Sequence, residues 1–127
     1  MSTILLIEKD SGLRHRLQSA LMEAGHDLIE AADGETGLAQ FHAIGADLVM
    51  TDVALPGKGG LEVMAHVLIE RPHTKIFALA VPQTDRGVDL LEVAEILGAA
   101  RTFEKPIDVP ELVRAVDEEL ITTWSSE

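Results

Sequence analysis

Three features of the sequence predict an α/β sandwich around a parallel sheet. Short, nearly unbroken apolar runs recur along the chain, each is followed by a stretch with helical spacing of apolar residues, and glycines punctuate the joins. A strand buried on both faces reads as a continuous apolar run, which is the mark of a parallel sheet. Strict strand-helix alternation with right-handed crossovers then places helices on both faces.

The elements follow in order. Thr3 to Ile7 is the first strand, and Ser11 to Ala24 the first helix, with Leu13, Leu17 and Leu21 on one stripe and Gly25 as its stop. Asp27 to Ala31 is a weaker second strand. Asp33 caps a helix running to about Ile44 with Leu38 and Phe41 inward, and Gly45 ends it. Asp47 to Thr51 is the third strand, and Pro56-Gly57-Lys58-Gly59-Gly60 a flexible turn. That turn lacks the spacing of a phosphate-binding loop. Leu61, Met64, Ala65 and Leu68 mark a helix that stops before Pro72. Lys75 to Ala80 is the fourth strand, Val88 to Leu97 the fourth helix, closed by Gly98, and Arg101 to Glu104 the fifth strand. Asp108, Pro110 and Glu111 open a last helix through about Thr122 as a capping box. The expected organisation is one domain over residues 1–127, with its core from about 3 to 120 and a frayed tail at 123–127.

Composition narrows the function. Hydrophobic residues make up 46%, as a globular core requires, and there is no cysteine for a disulfide, thiolate metal site or nucleophile. The net charge of -12, with no cluster of cations, disfavours nucleic acid and anionic membrane as partners. No apolar run approaches a membrane span, and a cytoplasmic protein is expected. The five histidines, His15, His26, His42, His66 and His73, show no ligand pair at metal spacing and read as structural or surface residues. Trp124 reads as packing at the edge of the last helix.

In an open parallel sheet the ligand site lies beyond the carboxyl ends of the strands. Glu8, Lys9 and Asp10 follow the first strand, Asp52 the third, Val81, Pro82 and Gln83 the fourth, and Lys105 and Pro106 the fifth. Acids and lysines therefore converge on one edge, around Asp52.

These residues carry a resemblance. Ile4 to Asp10 is similar to the first strand and acidic cluster of response-regulator receiver domains. Ala46 to Gly57, followed by Gly60-Leu61-Glu62-Val63, resembles their phosphoacceptor strand and loop, and Gly98-Ala99 with Lys105-Pro106 their fifth-strand signature. The likeness covers roughly Thr3 to Leu120. It implies a flavodoxin-like doubly wound (βα)5 sandwich with strand order 2-1-3-4-5. It also implies that Asp52 is the phosphoacceptor in a two-component or phosphorelay pathway, and that Lys105 pairs with the phosphoryl oxygens. Mg2+ would be held by Glu8 and Asp52, with Asp10 and the backbone carbonyl of Ala54 as further candidates. The implied partners are a histidine kinase or phosphotransfer protein and a downstream protein. The face of the fourth helix, fifth strand and fifth helix is the implied docking surface, for a partner or a second copy. The implied chain is no enzyme beyond self-phosphorylation at Asp52, and the Lys105-Pro106 bond is one the family often holds in cis.

The sequence departs from the family in three places. Lys9 stands where a metal-ligating acid is usual, and an ammonium cannot coordinate magnesium. Ala80 replaces the switch hydroxyl after the fourth strand. Thr102 replaces the switch aromatic, and neighbouring Phe103 faces the other way. Two expectations follow: that the Lys9 side chain pairs with Asp52 in the metal's place, and, as an alternative function, that the domain is a docking module independent of phosphorylation. A flavin carrier is disfavoured, because only Phe41, Phe77, Phe103 and Trp124 could stack on the ring.

Overall fold

The computed structural model describes residues 2–82, 84–85 and 88–125. Its elements are β1 (Thr3–Ile7), α1 (Ser11–Glu23), β2 (Asp27–Ala31), α2 (Gly34–Ile44), β3 (Leu48–Asp52), α3 (Gly60–Glu70) and β4 (Lys75–Ala80). These are followed by a two-residue ribbon pair, β5 (Thr84–Asp85) and β6 (Val88–Asp89), then α4 (Leu90–Leu97), β7 (Arg101–Glu104) and α5 (Val109–Ser125). The main sheet is parallel, in the order β2-β1-β3-β4-β7. This is the expected doubly wound order, with the last sheet strand numbered seventh because the antiparallel β5-β6 ribbon intervenes.

Alternation along the strands splits the core in two. Leu5, Ile7, Val49, Ile76 and Ala78 face α2, α3 and α4, where they meet Phe41, Val63, Met64, Val67, Leu91 and Ala94. Ile4, Leu6, Leu48, Met50, Phe77 and Leu79 face α1 and α5, where they meet Leu13, Leu17, Leu21, Leu112, Val116 and Leu120. The leucine stripe of α1 is buried throughout, and each such side chain contributes roughly 1.5–3 kcal/mol on leaving water.

The helix starts match their cap residues. Asp33 accepts from the Thr36 N–H at 2.8 Å and Asp108 from the Glu111 N–H at 3.1 Å. Gly25 and Gly98 have φ of 97° and 123°, a backbone region that favours glycine and ends a helix.

Three boundaries differ from expectation. The third strand is shifted by one residue, to Leu48–Asp52; Asp47 still bonds the Thr3 carbonyl through its N–H at 2.9 Å, and its side chain accepts from the Thr3 N–H at 2.8 Å. Val88 does not open the fourth helix: Val88–Asp89 pairs in the ribbon, and α4 starts at Leu90 because the Asp89 carboxylate caps the Leu91 N–H at 3.0 Å. The tail expected to fray at Thr123 instead continues α5 to Ser125. Gln83, residues 126–127 and the placement of the Trp124 side chain lie outside the described residues.

Candidate functional site

Strand parity assembles the site. Asp52 shares the face of Leu48 and Met50, and Glu8 that of Ile4 and Leu6, and register sets Ile7 beside Thr51. Glu8 and Asp52 therefore sit side by side at the carboxyl edge of the sheet, 0% and 1% exposed. Lys105 has the parity of Phe103, and its N–H donates to the Ala80 carbonyl at 2.8 Å, which holds the chain against the end of β4. Its ammonium reaches across to both acids, 2.6 Å from Asp52 Oδ1 and 2.9 Å from Glu8 Oε1. The following Lys105-Pro106 bond is cis.

Those two oxygens are buried and, among the described residues, have no other hydrogen-bond partner, so the lysine is their counter-charge. The remaining oxygens meet backbone. Asp52 Oδ2 accepts from the Lys9 N–H at 3.1 Å, and Glu8 Oε2 from the Asp10 N–H at 3.0 Å. Burial, then the neighbouring Asp52 carboxyl, push the Glu8 carboxyl up to about 7, against the lowering pull of Asp10 N–H and Lys105. Burial alone would lower Lys105, but Asp52 and Glu8 outweigh it and hold the ammonium above its ordinary value.

One expectation is corrected here. The Lys9 side chain does not pair with Asp52. Lys9 has the opposite parity to Glu8, so its side chain is exposed, and it offers Asp52 only its backbone N–H. Asp10 spends Oδ1 on the N-terminus of α1, accepting from Gly12 at 2.9 Å and Leu13 at 3.2 Å. These bonds hold its pKa below the ordinary carboxylate value. Ala54 is exposed on the loop after β3. One participant escaped the sequence reading: Arg14 Nη1 donates to the Glu8 carbonyl at 2.6 Å. Its only sequence signal is its position, one helical turn after Asp10.

The replaced switch positions lie on the opposite face. Ala80 is 7% exposed in the α4-side core and carries no hydroxyl. Thr102 pairs with Ala78 on that side, while Phe103 stacks against Phe77 in the α1/α5 core, ring centroids 5.2 Å apart. Thr102 lines a cavity of about 330 Å³ with Lys105 and three acids, Glu104, Asp108 and Glu111.

The sequence matches the family described as the response regulator receiver domain over residues 4–117. The chain belongs to that family. Among relatives, it is 29% identical over 116 residues to the sensory transduction protein RegX3 of Mycolicibacterium smegmatis, covering 91% of this chain and 49% of that protein. It thus spans about half the length of the RegX3 relatives it matches. It is 27% identical over 114 residues to sporulation initiation phosphotransferase F of Bacillus subtilis, covering 89% of each. Among solved structures, a CheY-like receiver domain protein from Methanospirillum hungatei superposes with a TM-score of 0.90 at 20% identity, covering 100% of this chain and 99% of that one. A receiver domain protein from Clostridium thermocellum gives 0.84 at 21%, covering 97% of each. At these identities the likeness to solved structures establishes the fold. As a receiver domain of a response regulator, the chain works in two-component signalling. Among the described residues no helix is long and apolar enough to cross a membrane.

Receiver domains in general bind Mg2+ at this edge of the sheet. The donor set here does not fit that ion. Magnesium demands oxygen ligands in near-octahedral array. The two acids that do meet share Lys105, Asp10 is committed to α1, and Lys9 adds a like charge.

Proposed function

We propose that Asp52 is a phosphoacceptor and that the domain passes its state to another protein by contact. The observation that supports this most is the Lys105 ammonium 2.6 Å from Asp52 Oδ1 at the carboxyl edge of the sheet. Phosphoryl transfer needs positioning and charge stabilisation more than covalent chemistry from the protein. An Asp52 carboxylate oxygen attacks phosphorus, the P–N bond to a phosphohistidine or to phosphoramidate breaks, and its electron pair leaves on the protonated nitrogen. Lys105 is already placed to bind the new phosphoryl oxygens. The donors in the cell are a histidine kinase or a phosphotransfer protein, in the cytoplasm. The readout surface is α4, β7 and α5, for a partner or a second copy of the chain.

Intact mass after incubation with phosphoramidate tests the reading. One added phosphoryl group is expected on the wild type and none on Asp52→Asn. No addition to the wild type, while another receiver domain alongside is labelled, defeats it.

A second reading, a docking module independent of phosphorylation, draws on two observations. The Asp52 side chain is only 2% exposed, and no hydroxyl stands at Ala80 to sense a phosphoryl group. It predicts that Asp52→Asn leaves pathway output intact, whereas Ile96→Asp on α4, where the native side chain is 82% exposed, abolishes it. The acceptor reading predicts loss of output with Asp52→Asn.

A further inference from the structure

The misfit to magnesium raises the question of what balances an incoming phosphoryl group. The site already holds two buried carboxyl groups and one ammonium. Transfer replaces the single charge of the Asp52 carboxylate with the roughly two of an acyl phosphate, so the site gains about one negative charge, carried on oxygens that reach further out. Lys105 is shared between Asp52 and Glu8 and cannot balance that addition alone. Asp10 is fixed on α1, and Arg14 is turned onto the Glu8 carbonyl and Glu30, 2.6 and 3.7 Å away. Lys9 differs from all of these. Its backbone N–H touches Asp52 Oδ2 at 3.1 Å, which anchors the residue beside the acceptor. Its side chain is exposed and, among the described residues, makes no ion pair. An ammonium on a flexible stem is a compact charge that can turn onto an anion.

We propose that Lys9 takes the place of the divalent cation: its ammonium binds the oxygens of the phosphoryl group transferred to Asp52, opposite Lys105. The ligand class is a tetrahedral phosphoryl anion, free or on its donor. The same charge repels a dication from the two carboxylates, so one residue both removes the metal and supplies its neutralising role. In the reaction with phosphoramidate, an Asp52 oxygen bonds to phosphorus, the P–N bond breaks and ammonia departs with the electron pair. Lys9 and Lys105 hold the phosphoryl oxygens without changing protonation. The inference rests on Asp52 being the acceptor.

The test has two arms. In the first, amide shifts of Lys9 and Asp52 are followed during magnesium titration. No saturable shift is expected at millimolar metal in the wild type, and a saturable shift is expected in Lys9→Asp. In the second, labelling by phosphoramidate is timed with magnesium or with EDTA. The wild type should be labelled equally fast in both. Lys9→Ala should slow roughly a hundred- to a thousandfold in both, as loss of a group stabilising transition-state charge does. Lys9→Arg should recover most of the rate, and Lys9→Asp should need magnesium. A wild type that binds or requires magnesium, or a Lys9→Ala labelled as fast as wild type, overturns the inference and leaves the acceptor reading standing. A wild type labelled under neither condition, beside a labelled control receiver, overturns both.

Discussion

Glu8 is where a single residue couples the site to stability. Its carboxyl is fully buried and its pKa is pushed up from 4.5 to about 7, by burial first and then by Asp52. A folded-state pKa above the unfolded value means that the folded protein binds the proton more tightly. The associated stability is therefore fully present below about 4.5 and is lost as pH rises through about 7. A shift of that size corresponds to roughly 3 kcal/mol. Glu8→Gln keeps an oxygen for the Asp10 N–H and never ionises. Relative to this variant, the wild type should lose stability between about pH 5 and about pH 8 in denaturant titrations. Parallel curves for the two proteins would remove Glu8 as the source. The sequence makes part of this site legible. Topology alone brings Glu8, Asp52 and Lys105 to one edge, and the period of two along a strand already says that Glu8 and Lys9 face opposite ways. What it hides is which oxygen meets which donor. The sharing of Lys105 between two acids and the reach of Arg14 to the Glu8 carbonyl depend on side-chain rotamers and loop paths, which leave no periodic mark.

The elements are held at the site by close approach of backbone. A Cβ built on Gly60, the first residue of α3, would lie 1.9 Å from the Asp52 carbonyl oxygen and 2.7 Å from Val53 Cα. These are main-chain atoms of the acceptor strand and its loop, and they cannot yield without moving the site. On Gly37, in α2, the same atom would meet Ile7 Cδ1 at 2.4 Å and Cγ1 at 2.7 Å, both on a side chain that can change rotamer. Gly37→Ala also gains up to about 1 kcal/mol of helix propensity. Gly60→Ala should therefore cost about 3 kcal/mol or more, and Gly37→Ala about 1 kcal/mol or less. Equal losses in urea unfolding would show that α3 can slide away from Asp52. Helix boundaries were legible where a side chain caps them, as at Asp33 and Asp108. They were not where two caps or none compete. Val88 fits an apolar helical stripe, but Asp89 behind it is the better cap, and the ribbon takes Val88. Thr122 and Thr123 carry no stop signal, so α5 runs on to Ser125.

At the scale of the whole molecule, the charge of -12 sets two opposing responses to salt. Screening weakens the ion pairs, chiefly Arg101 with Glu118 and Glu119, both at 2.9 Å, and Lys75 with Glu119 at 3.5 Å. It also weakens repulsion among the unpaired acids. Ion pairs this exposed contribute roughly 0–1 kcal/mol each. The repulsion is spread over 22 acidic residues against 10 basic ones, and folding concentrates it into a smaller volume. Repulsion should win. The melting temperature at pH 7 should rise as sodium chloride shortens the screening length from about 30 Å at 0.01 M to about 8 Å at 0.15 M. Chloride is the anion to use, because sulfate would strengthen apolar burial as well. A melting temperature that falls over this range would mean that the network joining Lys75, Arg101 and α5 outweighs the net charge. The strongest effect of salt would then lie at the amino end of the sheet, away from Asp52.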